Sequence, residues 1–301
     1  MNKTPRKNLY QEITDKIIAA IEKGTPPWLR SWNAEHAAGN ISRPLRHTRE
    51  PYNGINTLVL WCAGDEAGYD SPIWMTYKQA QEYGAQVKKG EHGTMIVYAS
   101  SFAKTEKKVD GTNAAKTIHF LKSYTVFNTE QVDGLPEQFQ GSPEPVLDPI
   151  QRIDHAEQFF SGTGSTIHQK GAKAFYSPAA DEITMPPFEF FNRPESYYAT
   201  LSHETTHWTR HKSRLDRSFG VHRFGNEAYA MEELVAELGA AYLCADLNLH
   251  KEPRTEHASY IDSWLNVLKR DNHAIFTAAS YASKAVEYLH ELQAEQIDLA
   301  A

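Results

Sequence analysis

One stretch decides more about this fold than any other: EAYAMEELVAELGAAYLCADLNL, residues 227–249. Met231, Leu234, Val235, Leu238, Ala240, Ala241 and Leu243 make it apolar on most sides at helical spacing, so it must be a core helix. Yet Glu233 and Glu237 stand four residues apart in that apolar setting. Burying both carboxylates unpaired would cost several kcal/mol. A cation beside Glu233, with Glu237 accepting the N–H of a metal-bound histidine, removes that cost. The bland alternative places both glutamates on a solvated stripe.

Histidines lie just upstream. LSHETTHWTRH, residues 201–211, sets His203 and His207 one helical turn apart on one face, with Glu204 rotated by about 100°. Two imidazoles to hold zinc and a glutamate to take a proton from water are the parts of a hydrolytic metal site. The chain has 14 histidines, so this motif needs a third ligand to carry weight. Candidates are His211, Glu227, Glu232, Glu233 and Glu237. His211 lies two turns from His203, a rise of about 12 Å. Three side chains so spread cannot all reach bonds of about 2 Å, so the downstream helix is the better source. Zn2+ is the expected ion, and Mn2+ or another divalent metal suits the same ligands.

DGLPEQFQGSPEPVLDP, residues 133–149, is rich in Pro, Gly, Gln and Glu and reads as a linker. It divides the charge unevenly. Residues 1–133 carry 17 Lys and Arg against 14 Asp and Glu; the remainder carries 14 against 24. A basic half joined to an acidic half points to two jobs, the first on a polyanion. A chain of 301 residues can bury one large core or two smaller ones; two are expected, with domains at 1–133 and 151–301 and a linker at 134–150. The fold class is α+β: a small mixed helix and antiparallel-sheet domain, then a mainly helical one.

The first half begins with an amphipathic helix, its stripe Leu9, Ile13, Ile17 and Ile21. It is no signal peptide, and no apolar run approaches the roughly 20 residues of a membrane span, so a cytoplasmic protein with no membrane partner is expected. Cys62 and Cys244 read as free thiols in a reducing compartment. INTLVLW starts a second helix with Asn53 or Asn56 as its cap. TMIVYASSF and IHFLKSYTVF are strands flanking an irregular charged loop at 104–117, and KAFYSPAADEITMPP is a hairpin. Aromatic and basic residues interleave from 26 to 98, including Trp28, Arg30, Trp32 and Arg46. Single strands are held by stacking bases on aromatic faces along a positive groove. The expected contacts are Trp28, Arg46, Tyr52, Asn53, Asn56, Trp74, Tyr77, Lys88 and Lys89, with some of these aromatics buried as core. No zinc finger, P-loop or dense basic helix competes, so binding should be independent of sequence.

HExxH followed by EELVAEL resembles the gluzincin-type metallopeptidases. AFYSPAADEITMPP, YYATLSHETTHWT and YAMEELVAELGAAYLCADL together resemble the metallopeptidase-like domain of the ArdC antirestriction proteins of conjugative plasmids. PPWLRSW, REPYNGINTLVLW, WMTYKQAQEYGAQVKKGEHGT and YTVFNTEQVDGLP resemble the single-stranded-DNA-binding domain of that family, which also occurs in TraC-type plasmid primases. The resemblance implies metal ligands at His203, His207 and Glu233, with Glu204 as general base. It also implies a protein that coats incoming single-stranded plasmid DNA against host restriction. The alternative is a DNA-tethered zinc peptidase cleaving a protein partner, with Tyr176, His222 or Tyr229 as oxyanion donor and the 173–187 hairpin as a substrate edge strand.

Overall fold

The computed structural model describes residues 8–24, 26–28, 42–107, 113–139, 149–219, 225–249 and 257–300. The first half contains α1 (Leu9–Glu22), β1 (Leu45–Arg46), α2 (Ile55–Ala67), β2 (Ile73–Thr76), α3 (Tyr77–Glu82), β3 (Gln86–Val87), β4 (Thr94–Lys107), β5 (Asn113–Asn128) and β6 (Val132–Asp133). The second contains α4 (Pro149–Ser161), β7 (Thr166–Gln169), β8 (Phe175–Ser177), β9 (Glu182–Met185), α5 (Pro194–Trp208), α6 (Gly225–Asp246), α7 (His257–Arg270) and α8 (Ala274–Ala300).

A four-stranded sheet in the order β1-β2-β5-β4 frames the first half, antiparallel except for the β1–β2 pair. The β4–β5 ladder runs from the Thr94–Val126 pair out to Lys107–Asn113. The charged segment 104–117 is therefore mostly paired strand, not loop, and only 108–112 lie outside the described residues. The second half carries the sheet β7-β9-β8, whose β8–β9 hairpin turns at Pro178 to Asp181.

Ile13, Ile17 and Ile21 of α1 are buried as their spacing requires, yet the helix packs chiefly on α7, far away in sequence. Thr14 Oγ1 donates to the carbonyl of Asn272, and Trp28 meets Trp264 edge-on. The expectation of two separate cores is thus corrected. One cluster joins Ile13, Leu58 and Trp61 of the first half to Leu234, Tyr242, Trp264 and Val286 of the second. Two smaller clusters line the first half's sheet. Leu135 and Phe139, from the segment expected to open a linker, are seated in one of them; residues 140–148 lie outside the described residues.

Neither asparagine caps α2. Its N-cap is Gly54 at φ +59°, a conformation that favours glycine. The Gly54 N–H donates to Ser283 Oγ of α8, while its carbonyl accepts from Tyr242 Oη of α6. This turn is clamped by the second half. Among the described residues no helix is long and apolar enough to cross a membrane.

Candidate metal centre and nucleic-acid face

Pro194 at the start of α5 favours helix initiation, and the helix runs buried through Trp208. α6 lies against it. A Cβ on Gly239 would stand 2.5 Å from Thr206 Cγ2 and 3.1 Å from Thr206 Cβ, so only glycine permits this approach. The close crossing brings Glu233 of α6 to the two histidines of α5. We expect Gly239→Ala to force the helices apart, destabilising the protein by about 1–3 kcal/mol and weakening metal affinity at least in proportion. Calorimetric metal titration checks this, and unchanged affinity and melting temperature would refute it.

His203 Nε2 and His207 Nε2 are 3.2 Å apart, and each is 3.5 Å from an oxygen of Glu233. These three residues form a group able to hold one ion. Two ring nitrogens and a carboxylate converging this tightly fit a divalent cation, and the donors are those zinc takes. His207 Nδ1 is 3.1 Å from Glu232 Oε1. His203 Nδ1 is 3.0 Å from Glu237 Oε1, close enough for an ion pair although outside hydrogen-bond alignment. Each histidine thus has its own carboxylate behind it, which fixes ring orientation. Glu237, expected to accept the N–H of a ligating histidine, lies beside the His203 ring without that alignment. Glu232 had been weighed only as a ligand.

Arg217 completes the arrangement. The residue is 3% exposed, and its guanidinium gives Nη2–H to Glu232 Oε1 at 2.8 Å and Nε–H to Oε2 at 3.0 Å. It also donates to Thr209 Oγ1 and the Thr206 carbonyl. Burial would raise the Glu232 pKa, but His207 and Arg217 hold it down at about 2. Burial likewise opposes charge on His207, but Glu232 and Glu233 push its pKa up to about 10. Glu233 is held well below the carboxylate range by His203 and His207 despite its burial. The metal-free centre therefore keeps a proton on His207 that a metal ion must displace.

Glu204 is buried yet faces a cavity of about 310 Å³ shared with both histidines, Glu233, Tyr176 and Tyr229. Among the described residues its carboxylate has no protein partner. Tyr176 Oη is committed to Asp181 at 2.8 Å, and Arg214 binds the same carboxylate. Tyr229 Oη meets Tyr260 Oη at 3.0 Å on the cavity rim. Burial, Tyr260 and the Glu233 charge all raise its pKa, so it keeps its proton. His222 lies outside the described residues. His211 falls beyond α5, its ring on Ser213, and Glu227 pairs with Arg270; neither reaches the centre.

The expected DNA contacts scatter. Trp28 and Trp74 are 1% and 2% exposed and cannot stack on bases, which corrects that reading. Tyr52 is also buried, with the Arg46 guanidinium 5.4 Å above its ring. Asn53 bonds Glu287, and Asn56 bonds the Val97 backbone in both directions. Tyr77 is exposed, with its hydroxyl on Gln86. Lys88 Nζ donates to the Glu130 carbonyl, and Lys89 is exposed. Arg30 and Trp32 lie outside the described residues. Two further aromatics, Tyr98 and Tyr124, are exposed; their signal in the sequence is the two-residue spacing that puts Tyr98 on the face of Ile96 and Tyr124 on the face of Val126.

Comparison with known proteins is consistent along the chain. Residues 7–127 match the N-terminal domain of the anti-restriction factor ArdC, and residues 154–281 match a zincin-like metallopeptidase domain. Crystal structures of the antirestriction protein ArdC from plasmid R388, metal-free and Mn(II)-bound, are 43% identical. Each aligns over 96% of this chain and 99% of its own, with TM-scores of 0.79 and 0.75. The protein y4eC of Sinorhizobium fredii is 41% identical over 98% of this chain and 96% of its own. A DNA primase TraC of Escherichia coli is 36% identical over 98% of this chain, which spans only 21% of the primase.

Proposed function

The chain belongs to the ArdC antirestriction family, and from that premise we propose that it coats single-stranded DNA without sequence preference. In this reading it shields entering plasmid DNA from host restriction and carries a zinc-dependent hydrolytic centre in the same body. The observation that carries the hydrolytic part is Glu204: a buried carboxylate, without protein partner among the described residues, opening onto the cavity that His203, His207 and Glu233 border. A purely structural metal site would be closed.

His203, His207 and Glu233 would hold the ion, Glu237 and Glu232 keeping the rings in place. Zinc, when bound, would supply Lewis acidity to the substrate carbonyl and the attacking water; manganese suits the same ligands. Glu204 takes the proton of an attacking water on its carboxylate and returns it to the leaving amine. Tyr229, positioned by Tyr260, donates its hydroxyl hydrogen to the developing oxyanion; Tyr176 is otherwise engaged.

One observation favours a second reading, a peptidase tethered to DNA. β8 is the edge of its sheet, and Phe175, Tyr176 and the adjoining Ala174 line the cavity. An extended peptide can pair with such an edge. Transfer of a plasmid into a restricting recipient separates the two. Glu204→Gln is expected to protect as well as wild type, with unchanged metal content and DNA affinity. Loss of protection with those properties retained would replace coating by proteolysis as the working activity.

A further inference from the structure

We propose that the cavity beside Tyr98 and Tyr124 is a nucleotide subsite, taking one unstacked base against the tyrosine pair and its phosphate at Arg46. The inference rests on the single-stranded-DNA reading above and gives it a location. The β4–β5 register sets Tyr124 opposite Ile96 and Tyr98 opposite Lys122, so all four side chains share one face of the sheet. Ile96 and Val126 are buried and form an apolar floor of about 300 Å³ of cavity, which Tyr52 walls on one side. At its mouth Tyr98 and Tyr124 are 57% and 46% exposed, their rings edge-on at 6.5 Å. Among the described residues neither hydroxyl has a partner. The core does not use these rings, and both stay well exposed.

Charge and polar groups complete the fit. Arg46 lies over the Tyr52 ring with its side chain 52% exposed. Glu50, its acidic neighbour in the cavity wall, is 4.0 Å away and well exposed, a screened pair that a phosphate can displace. Gln79 and His47 add polar edge groups. A cavity of this size admits one base and not a paired duplex, whose bases are stacked inside the helix. Stacking on an aromatic ring ignores base identity, so a subsite of this kind serves a protein that binds without sequence preference.

The test uses the full-length chain and a fluorescent oligothymidylate, with anisotropy read across a salt series. If wild type does not bind, the DNA reading itself fails. If wild type binds, Tyr98→Ala and Tyr124→Ala should each weaken it about tenfold, the equivalent of about 1.4 kcal/mol, whereas Tyr98→Phe and Tyr124→Phe keep the affinity. Arg46→Ala should flatten the salt dependence by about 0.7 in the log–log slope. Both tyrosines are on the surface, so the variants should melt like wild type. Wild-type affinity in both alanine variants, with wild type binding, overturns the subsite while leaving the DNA reading intact.

Discussion

Arg217→Leu is expected to destabilise the metal-free protein by about 3–5 kcal/mol, the usual result of stripping one partner from a buried ion pair. Glu232 is as buried as the arginine and, among the described residues, would keep only His207 as partner. Its carboxylate would then titrate higher than about 2, and the His207 ring would lose its fixed backing. Metal affinity should fall about 10–100-fold, as is typical when the group behind a ligating histidine is disturbed. Adding Glu232→Gln should recover part of the stability, since it removes the orphaned charge, but not the affinity. Urea denaturation in chelator, paired with zinc titration, measures both. A midpoint shift below about 1 kcal/mol, the scale of an exposed pair, would mean that this cluster does not organise the centre.

The second large effect is a reversal of pH dependence when metal is removed. His207 titrates near 10 against an ordinary 6.5, so its protonated contacts stabilise the fold fully below 6.5 and fade as pH rises toward 10. Glu232 titrates near 2 against an ordinary 4.5, so its contribution is full above 4.5 and fades as pH falls toward 2. In chelator the melting temperature should therefore peak between about pH 4.5 and 6.5. With zinc, the proton on His207 is exchanged for the ion, and the gain from metal should grow from pH 6.5 to 9. At a thousandfold excess over Kd that gain is about 4 kcal/mol. Glu233→Ala should lose most of it and melt at the chelated temperature whether or not zinc is present. A gain independent of pH would show that His207 is already neutral or is not a ligand.

The metal centre was readable because its information is local. Four-residue spacings put His203 with His207 and Glu233 with Glu237 on single helix faces, and an apolar helix makes its carboxylates conspicuous. Arg217 left no such trace, since one arginine in SRLDRSF looks like any surface charge until the fold buries it. The nucleic-acid face was harder for a related reason. Composition counts tryptophans, but only packing tells that Trp28 and Trp74 face inward while Tyr98 and Tyr124 face out. The stripe on α1 likewise announced that something would cover it, without saying that the cover was α7.

That last pairing has a consequence in time. A ribosome makes α1 well before its main partner, some 240 residues ahead by the bounds of the two helices. At about 5–20 residues per second, the stripe Ile13, Ile17 and Ile21 waits uncovered for on the order of tens of seconds. Throughout that interval the nascent chain displays a greasy helix that its own sequence cannot yet hide. The stripe on α1 is one that only a distant part of the chain can fully cover.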